Sequence, residues 1–415
     1  MNLARLLLVN PPFKRGINGQ LPLNLAYLAA AFNRTDVQVE ICDLNVLGDP
    51  SAELRKRVEN FQPTHAGVAR YSPNCRDSID ILRRIRGMDE SISLISGGPH
   101  EKARAHETRL RHPWINHVIG AKNAEVKLVR LVTGNPNAIV DWKRLFPAYH
   151  LLDLHEPSYH FDDGAFPGKK MISYMSARGC NRSCSFCSHR KYEALEIPVV
   201  LEHLERLEML GYNAVFFNDP NFASDTVRTE ILMEQMIEAG ISDKIEWGCQ
   251  TIANQSLTTK LLEAMQTAGC TYITYSLENV SKSALKLLNK RIDPETVASI
   301  CAKTRELKMR TGLYVMFGIE RDEFKDLEQA RYTLDFLAMV KPDFVSYSIY
   351  TQYPDMKGPG ADVDYESFVQ TDSPAWDFFD EGFGYHPNCS EEHAVGLMKE
   401  IKERHEGPLK EVRIF

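Results

Sequence analysis

Short apolar runs alternate with amphipathic stretches from Arg5 to about Gly134. The runs 6–10, 37–42, 65–69, 91–96 and 116–119 are apolar or β-branched and end in polar turns, so they predict five strands. Between them, segments such as 22–32 place Leu23, Ala26, Tyr27 and Ala30 at helical spacing, which predicts crossover helices. Strands and helices in strict alternation build a parallel sheet with helices on both faces, a doubly wound α/β domain. Such sheets bind ligands beyond the carboxyl ends of their strands, here at Pro11-Pro12, Asp43, Tyr71-Ser72 and Gly97-Gly98-Pro99-His100.

The alternation lapses over 136–170, where Pro136, Pro147, Pro157 and Pro167 suggest a linker packed between domains. It resumes with candidate strands 171–176, 214–218, 245–249, 271–276, 312–318 and 343–349, separated by helical runs such as 198–210 and 323–340. Six βα units make a partial barrel, two short of a closed (βα)8 barrel, so one side is open or covered by other segments. From 351 onward the chain turns to Gly, Pro, acids and seven aromatics between Tyr365 and Tyr385, followed by a helical run near 390–405. The expected division is 1–135, a Rossmann-like domain; 136–170, a linker; 171–350, a partial (βα)6 barrel; and 351–415, a C-terminal acidic and aromatic segment with a helix.

With 415 residues, 43% apolar and 25% charged, the chain has ordinary cores, which excludes disorder and coiled coil as its main architecture. The net charge of −7 is uneven, because 355–392 carries ten acids against one lysine and the remaining residues are close to +2. That balance supplies no basic footprint for nucleic acid. No run of 18 apolar residues occurs, and Arg5 interrupts the opening apolar run, so no membrane span or leader is expected. Nine cysteines are too few for a disulfide scaffold, which points to a reduced, cytoplasmic setting.

Three of those cysteines crowd together. Ser176-Ala177-Arg178-Gly179-Cys180-Asn181-Arg182-Ser183-Cys184-Ser185-Phe186-Cys187 places C-x-x-x-C-x-x-C directly after the first barrel strand. Structural zinc sites and iron-sulfur cubanes normally take four protein ligands, so three thiolates leave one metal corner open for chemistry. A zinc knuckle completed by His189 is the plain alternative. A cluster protein that only carries electrons is another.

At these residues the chain resembles the radical S-adenosylmethionine (SAM) superfamily, with Phe186 as the aromatic before the third cysteine. The resemblance implies a [4Fe-4S] cluster on Cys180, Cys184 and Cys187, SAM on the remaining iron, and a 5'-deoxyadenosyl radical that abstracts hydrogen from an unactivated carbon. Further matches are 217–222, the loop after strand two; Ser276-Leu277-Glu278-Asn279, where Glu278 meets SAM amino or ribose groups; and Asn289-Lys290-Arg291, where Lys290 or Arg291 pairs with the SAM carboxylate. Gly312 to Glu320, with Gly318, resembles the adenine platform. Without the family, Glu278 is a solvated carboxylate, Lys290 and Arg291 are surface cations and the last segment is a buried strand. The family also implies an electron donor such as a flavodoxin or ferredoxin.

The N-terminal half resembles the cobalamin-binding domain that precedes the barrel in one subgroup, through 8–12, 22–31, 67–72 and 96–100, with Gly97 and Gly98 as contact positions. Two departures stand out. The D-x-H-x-x-G motif is absent, and the usual G-E-G-E is here Gly120-Ala121-Lys122-Asn123-Ala124-Glu125. Arg70 and Tyr71 are expected to put bulk near the sheet edge. Two states are compatible: bound cobalamin, implying C-methylation of a natural-product-type substrate, or a vestigial domain that shapes the substrate pocket. Without cobalamin, Cys389 is a candidate hydrogen-atom donor, as in peptide epimerases, or a small buried residue. The acidic tail suits a cationic substrate, such as a basic peptide or the amino sugar of a dehydratase, or is a solvated surface.

Overall fold

The computed structural model describes residues 3–12, 21–46, 49–72, 74–120, 123–154, 166–189, 191–350, 390–405 and 412–414. The segment 351–389, with Cys389, the tail aromatics and most of the acidic run, lies outside the described residues, as do Ala121 and Lys122.

The N-terminal half runs β1 (Arg5–Asn10), α1 (Leu23–Ala30), β2 (Gln38–Asp43), α2 (Pro50–Phe61), β3 (His65–Ala69), α3 (Cys75–Met88), β4 (Ser93–Gly98), α4 (Pro99–Arg111), β5 (His117–Gly120) and α5 (Ala124–Thr133). The five strands pair in parallel in the order β2-β1-β3-β4-β5. In β1, Leu6 and Leu8 enter one core while Leu7 and Val9 enter another, as the two-residue period of a strand covered on both faces requires. Helix α2 starts where Asp49 accepts the N–H groups of Ser51 and Ala52 and Pro50 fixes the first turn. Strand β4 begins two residues later than the pattern predicts and runs through Gly98.

The linker region packs against both halves. Ala148 donates its N–H to the Ala26 carbonyl at 3.0 Å, and the Tyr149 hydroxyl donates to the Ser173 carbonyl at 2.8 Å. The Tyr27 hydroxyl of α1 reaches the Met175 carbonyl at 3.1 Å. One continuous apolar core therefore extends from α1 and α5 into the barrel.

The second half runs β6 (Met171–Tyr174), β7 (Ala177–Arg178), β8 (Glu193–Ala194), α6 (Ile197–Met209), β9 (Ala214–Phe217), α7 (Thr226–Glu238), β10 (Glu246–Thr251), α8 (Thr259–Thr267), β11 (Cys270–Glu278), α9 (Lys282–Leu287), α10 (Pro294–Glu306), β12 (Arg310–Phe317), α11 (Glu323–Val340), β13 (Phe344–Ile349), α12 (Glu391–His405) and β14 (Val412–Ile414). A parallel half-barrel results, in the order β6-β9-β10-β11-β12-β13-β14. All six predicted strands are present. The seventh, β14, comes from the far C-terminus, where a three-residue run is too short to carry a period. Between the sheet and its helices, Tyr174, Phe217, Phe222 and Trp247 pack with ring centroids 4.9 to 5.7 Å apart, in one core with the buried faces of α6, α7 and α8. Among the described residues, no helix is long and apolar enough to cross a membrane.

Candidate active site

The loop carrying the three cysteines leaves β6 at the carboxyl end of the sheet and returns through the two-residue antiparallel pairing of β7 with β8. Its entry is fixed by Asp219, which follows β9 and is fully buried. Asp219 accepts the Ser176 N–H at 2.6 Å, the Ser176 hydroxyl at 2.7 Å and the Ala177 N–H at 3.1 Å. Burial pushes its carboxyl up to about 6, against the opposing pull of those hydrogen bonds. The Gln250 side chain donates to the Asp219 carbonyl, and the Tyr314 hydroxyl donates to Gln250 in turn, so three strands brace this corner.

Arg178 ties the same loop to the N-terminal sheet. Its guanidinium donates to Glu125 Oε1 at 2.7 Å and lies 4.2 Å from the centre of the Trp142 ring and 5.2 Å from that of Tyr27. Glu125 begins α5, in the segment that replaces the subgroup's acidic motif.

Cys180 and Cys184 are buried and Cys187 is half-buried. Among the described residues, no three His, Cys, Asp or Glu side chains form a set able to hold a metal ion. A cubane differs in that each thiolate takes its own iron, so its ligands stand further apart than those of a single ion. The chemistry of the donors fits such a group: three sulfurs converge in one loop, and two already accept backbone N–H groups, Cys180 Sγ from Arg182 and Cys187 Sγ from His189, each at 3.4 Å. Burial raises the Cys184 thiol, with Lys290 opposing it.

Around the cysteines the half-barrel assembles most of the remaining candidates. Glu278 ends β11 beside a register shift, in the left-handed region at φ 62°, and Lys290 Nζ donates to its Oε1 at 2.9 Å. Both are buried, so neither the solvated carboxylate nor, for Lys290, the surface cation describes them. Lys290 Nζ also lies 5.8 Å from the centre of the Phe186 ring. Phe186, Met316 and Tyr350 pack on the buried Ala284, Leu288 and Ile319, joining the cysteine loop to the segment after β12. Arg291 is exposed and lines, with Cys184, Asn289 and Lys290, a cleft of about 470 Å³ including open solvent.

Gly318 is in the left-handed region at φ 70°. Its N–H and those of Ile319 and Glu320 all donate to the Asp326 carboxylate, at 2.9 to 3.1 Å. His393 of α12 contacts the same carboxylate at 3.0 Å. Asp219, Asp326, His393 and the Arg178–Glu125 pair are not singled out by the sequence reading; an Asp-Pro after a strand and an Asp early in a helix are its only traces of them.

Gly97 and Gly98 belong to the other sheet. A Cβ on Gly98 would stand 2.6 Å from the Arg70 carbonyl oxygen, so close passage of β3 accounts for that glycine. Arg70 does not crowd the edge as expected. It folds beneath α4, fully buried, donating to Glu101 at 3.0 Å and Thr108 at 2.8 Å.

Residues 174–330 match the model of the Radical SAM superfamily. The chain is a radical SAM enzyme. Over 383 residues it is 23% identical to an uncharacterized methyltransferase, PH0819, of Pyrococcus horikoshii, covering 85% of this chain and 82% of that protein. It is 22% identical to an anaerobic magnesium-protoporphyrin IX monomethyl ester cyclase of Cereibacter sphaeroides, spanning 84% of this chain and 62% of the cyclase. Its fold is shared with the radical SAM methyltransferase TsrM of Kitasatospora setae, solved with cobalamin and a [4Fe-4S] cluster, at TM-score 0.66 and 15% identity over 85% of this chain and 73% of that one. The cobalamin-dependent radical SAM enzyme OxsB matches 98% of this chain and 62% of its own at TM-score 0.61 and 16% identity. Membership of the radical SAM superfamily implies a [4Fe-4S] cluster and SAM as cofactors.

Proposed function

We propose that Cys180, Cys184 and Cys187 hold the [4Fe-4S] cluster and that Glu278, Lys290 and the Gly318 loop hold SAM. The observation that carries this reading is the clamped three-thiol loop at the carboxyl end of the half-barrel, with backbone N–H groups turned onto two of its sulfurs. When bound, cluster and SAM supply a carbon-centred radical that takes hydrogen from an unactivated carbon of a natural-product-type small molecule or peptide. The chain's own groups set the frame. Asp219 fixes the loop entry, and Phe186, Met316 and Ile319 keep water from the reacting atoms. Glu278 and Lys290 neutralise one another in place, a preformed pair of opposite charges that can re-partner with the amino and carboxylate groups of the methionine moiety. The backbone around Gly318, fixed by Asp326, offers a flat wall to an adenine.

A second reading adds cobalamin at the carboxyl edge of the N-terminal sheet, with methyl transfer as the outcome. It is favoured by the withdrawal of Arg70 beneath α4 and by the fold shared with TsrM and OxsB across both halves. Gly97 lies on that edge, where an added Cβ would make only ordinary contact, 3.6 Å from the Ile119 carbonyl oxygen.

The test is anaerobic reconstitution with iron and sulfide, dithionite reduction with SAM, and quantitation of 5'-deoxyadenosine. Formation above a Cys184→Ala control is expected; none would overturn the radical reading. Corrin absorption retained after desalting supports methyl transfer. Its loss shifts the assignment to cobalamin-free epimerisation or dehydration.

A further inference from the structure

The concave face of the half-barrel has a chemistry of its own. Alternation along the strands sets Cys249, Tyr275, Leu277, Leu313 and Val315 against the helices, where each is at most 1% exposed. Their neighbours Gln250, Ser276 and Tyr314 therefore face the lumen, together with Ser348 of β13, and all four are only half-buried. Strands β10 and β12 are separated by β11, yet the Tyr314 hydroxyl reaches Gln250 Oε1 at 3.1 Å, a contact made over the concave side of β11. In the middle of a seven-stranded sheet, partial exposure on that side means that the lumen is not filled by side chains.

The lumen has a floor. Phe166, from the segment before β6, packs there with Phe216 and Tyr272. Two glycines make room for it. A Cβ on Gly248 would stand 2.8 Å from the Tyr272 carbonyl oxygen and 3.0 Å from Phe166 Cζ, and one on Gly312 would stand 2.7 Å from the Tyr272 hydroxyl and 2.9 Å from Thr274 Oγ1. At the mouth, Phe186, Met316 and Tyr350 stand beside the cysteine loop. Between floor and mouth, β6 and β9 to β13 turn hydroxyls, an amide and apolar surface to the lumen, and the first charge met is Glu278, which Lys290 neutralises. Asp219, at the rim, has its carboxylate occupied by Ser176 and Ala177.

We infer that this lumen admits an uncharged substrate bearing an amide group, and that Gln250 is the residue that recognises it. The inference deepens the proposed function and rests on the placing of cluster and SAM at the mouth. Gln250 is held at both ends of its amide, where Oε1 accepts from Tyr314 and Nε2 donates to the Asp219 carbonyl at 3.0 Å. A primary amide so held keeps one further N–H and one further lone pair, the complement of a carboxamide or peptide unit. A cation would meet no carboxylate in the lumen other than the neutralised Glu278, among the described residues, and an ion of either sign would exchange water for dipoles alone. The preference for a cation that the acidic run 355–392 suggests has no counterpart on this face of the described strands.

Three probes of one shape differ in charge: benzamide, benzamidinium and benzoate. Their binding to the reconstituted protein with SAM, and to the apoprotein, is titrated by saturation-transfer NMR for wild type, Gln250→Leu, Gln250→Glu and Tyr314→Phe, each checked by thermal unfolding. Wild type should bind benzamide roughly tenfold or more tightly than either ion. Gln250→Leu should remove that preference, and Gln250→Glu should pass it to benzamidinium. Tyr314→Phe leaves the bond to Asp219 intact and should weaken benzamide by roughly threefold or more, so the inference stays open to refutation even if the Gln250 variants fail to fold. No binding of benzamide by wild type, a preference for either ion, a preference that survives Gln250→Leu, or a Tyr314→Phe affinity equal to that of wild type overturns the inference. Absence of 5'-deoxyadenosine from wild type with dithionite and SAM instead defeats the cluster reading, and the probes still decide what the lumen accepts.

Discussion

Asp219 is the most exacting test of how the cysteine loop is held. Replacing it by Ala removes the acceptor of two buried backbone N–H groups, Ser176 and Ala177, and of the Ser176 hydroxyl. The hydroxyl can rotate to another acceptor, so at ~1–3 kcal/mol for each of the two stranded N–H groups Asp219→Ala should cost about 2–6 kcal/mol. Asp219→Asn keeps an oxygen for both N–H groups and offers its amide to the Ser176 hydroxyl, which can accept, so the scaffold survives. Charge separates the two substitutions further. The native carboxyl is pushed from 3.8 up to about 6 by burial, so between those values the folded state holds a proton that the unfolded state has lost. Stability from this group is therefore full below 3.8, falls as pH rises through the window, and is flat above about 6. Two units at ~1.36 kcal/mol each make that fall about 3 kcal/mol. Urea unfolding of the apoprotein, followed across the window for wild type and both variants, reads the difference directly. Asp219→Asn should gain on wild type with rising pH by up to that amount, and Asp219→Ala should lie below Asp219→Asn throughout. A wild-type-minus-Asn difference independent of pH, or an Ala variant as stable as Asn, would refute the assignment of Asp219 as a buried, strained anchor.

Arg178→Met removes the ion pair to Glu125 and the cation over Trp142, and should lower stability by ~1–3 kcal/mol, read as a fall in the apoprotein melting temperature. Gly98→Ala must accommodate a Cβ 2.6 Å from the Arg70 carbonyl oxygen at φ 127° and should cost at least ~2 kcal/mol, whereas Gly97→Ala should stay within ~1 kcal/mol; equal melting shifts would contradict the close passage of β3. Asp326→Ala leaves the Gly318, Ile319 and Glu320 N–H groups unmet at ~1–3 kcal/mol each, and His393→Ala should cost only ~1 kcal/mol while raising hydrogen exchange across α12.

What the sequence made legible follows from what has a period. β3 and α11 appear with the bounds that alternation and caps predict, His65–Ala69 and Glu323–Val340. The three cysteines stand out in the sequence because their spacing, C-x-x-x-C-x-x-C, is local to a single loop. Glu278 and Lys290 are twelve residues apart, so their direct pairing depends on where β11 ends and α9 turns, and no local pattern records that. Arg70 illustrates the opposite failure. Its size and position suggest an obstructed sheet edge, yet its partners Glu101 and Thr108, 31 and 38 residues away, draw it under a helix. Side-chain direction is a tertiary property, and sequence reasoning has access to it only where a period fixes the face.

The cysteine loop has two anchors of different origin, and that bears on what the N-terminal sheet does. Asp219 belongs to the half-barrel and grips Ser176 and Ala177; Glu125 belongs to α5 and grips Arg178, the next residue. The Tyr27 ring of α1 lies on the other flank of the same guanidinium, and its hydroxyl holds the Met175 carbonyl, just ahead of the loop. Four consecutive residues, Met175 to Arg178, are thus held from both halves, the outer two by the N-terminal half and the inner two by the half-barrel, and the apolar core is continuous beneath them. A sheet that served only as a spacer would need none of these polar contacts. Because α5 starts directly after the carboxyl end of β5, any ligand that shifts the start of that helix pulls on Glu125, and through Arg178 on the chain two residues before Cys180. The half of the molecule whose ligand is the more distant inference is therefore mechanically joined to the loop whose chemistry is the nearer one.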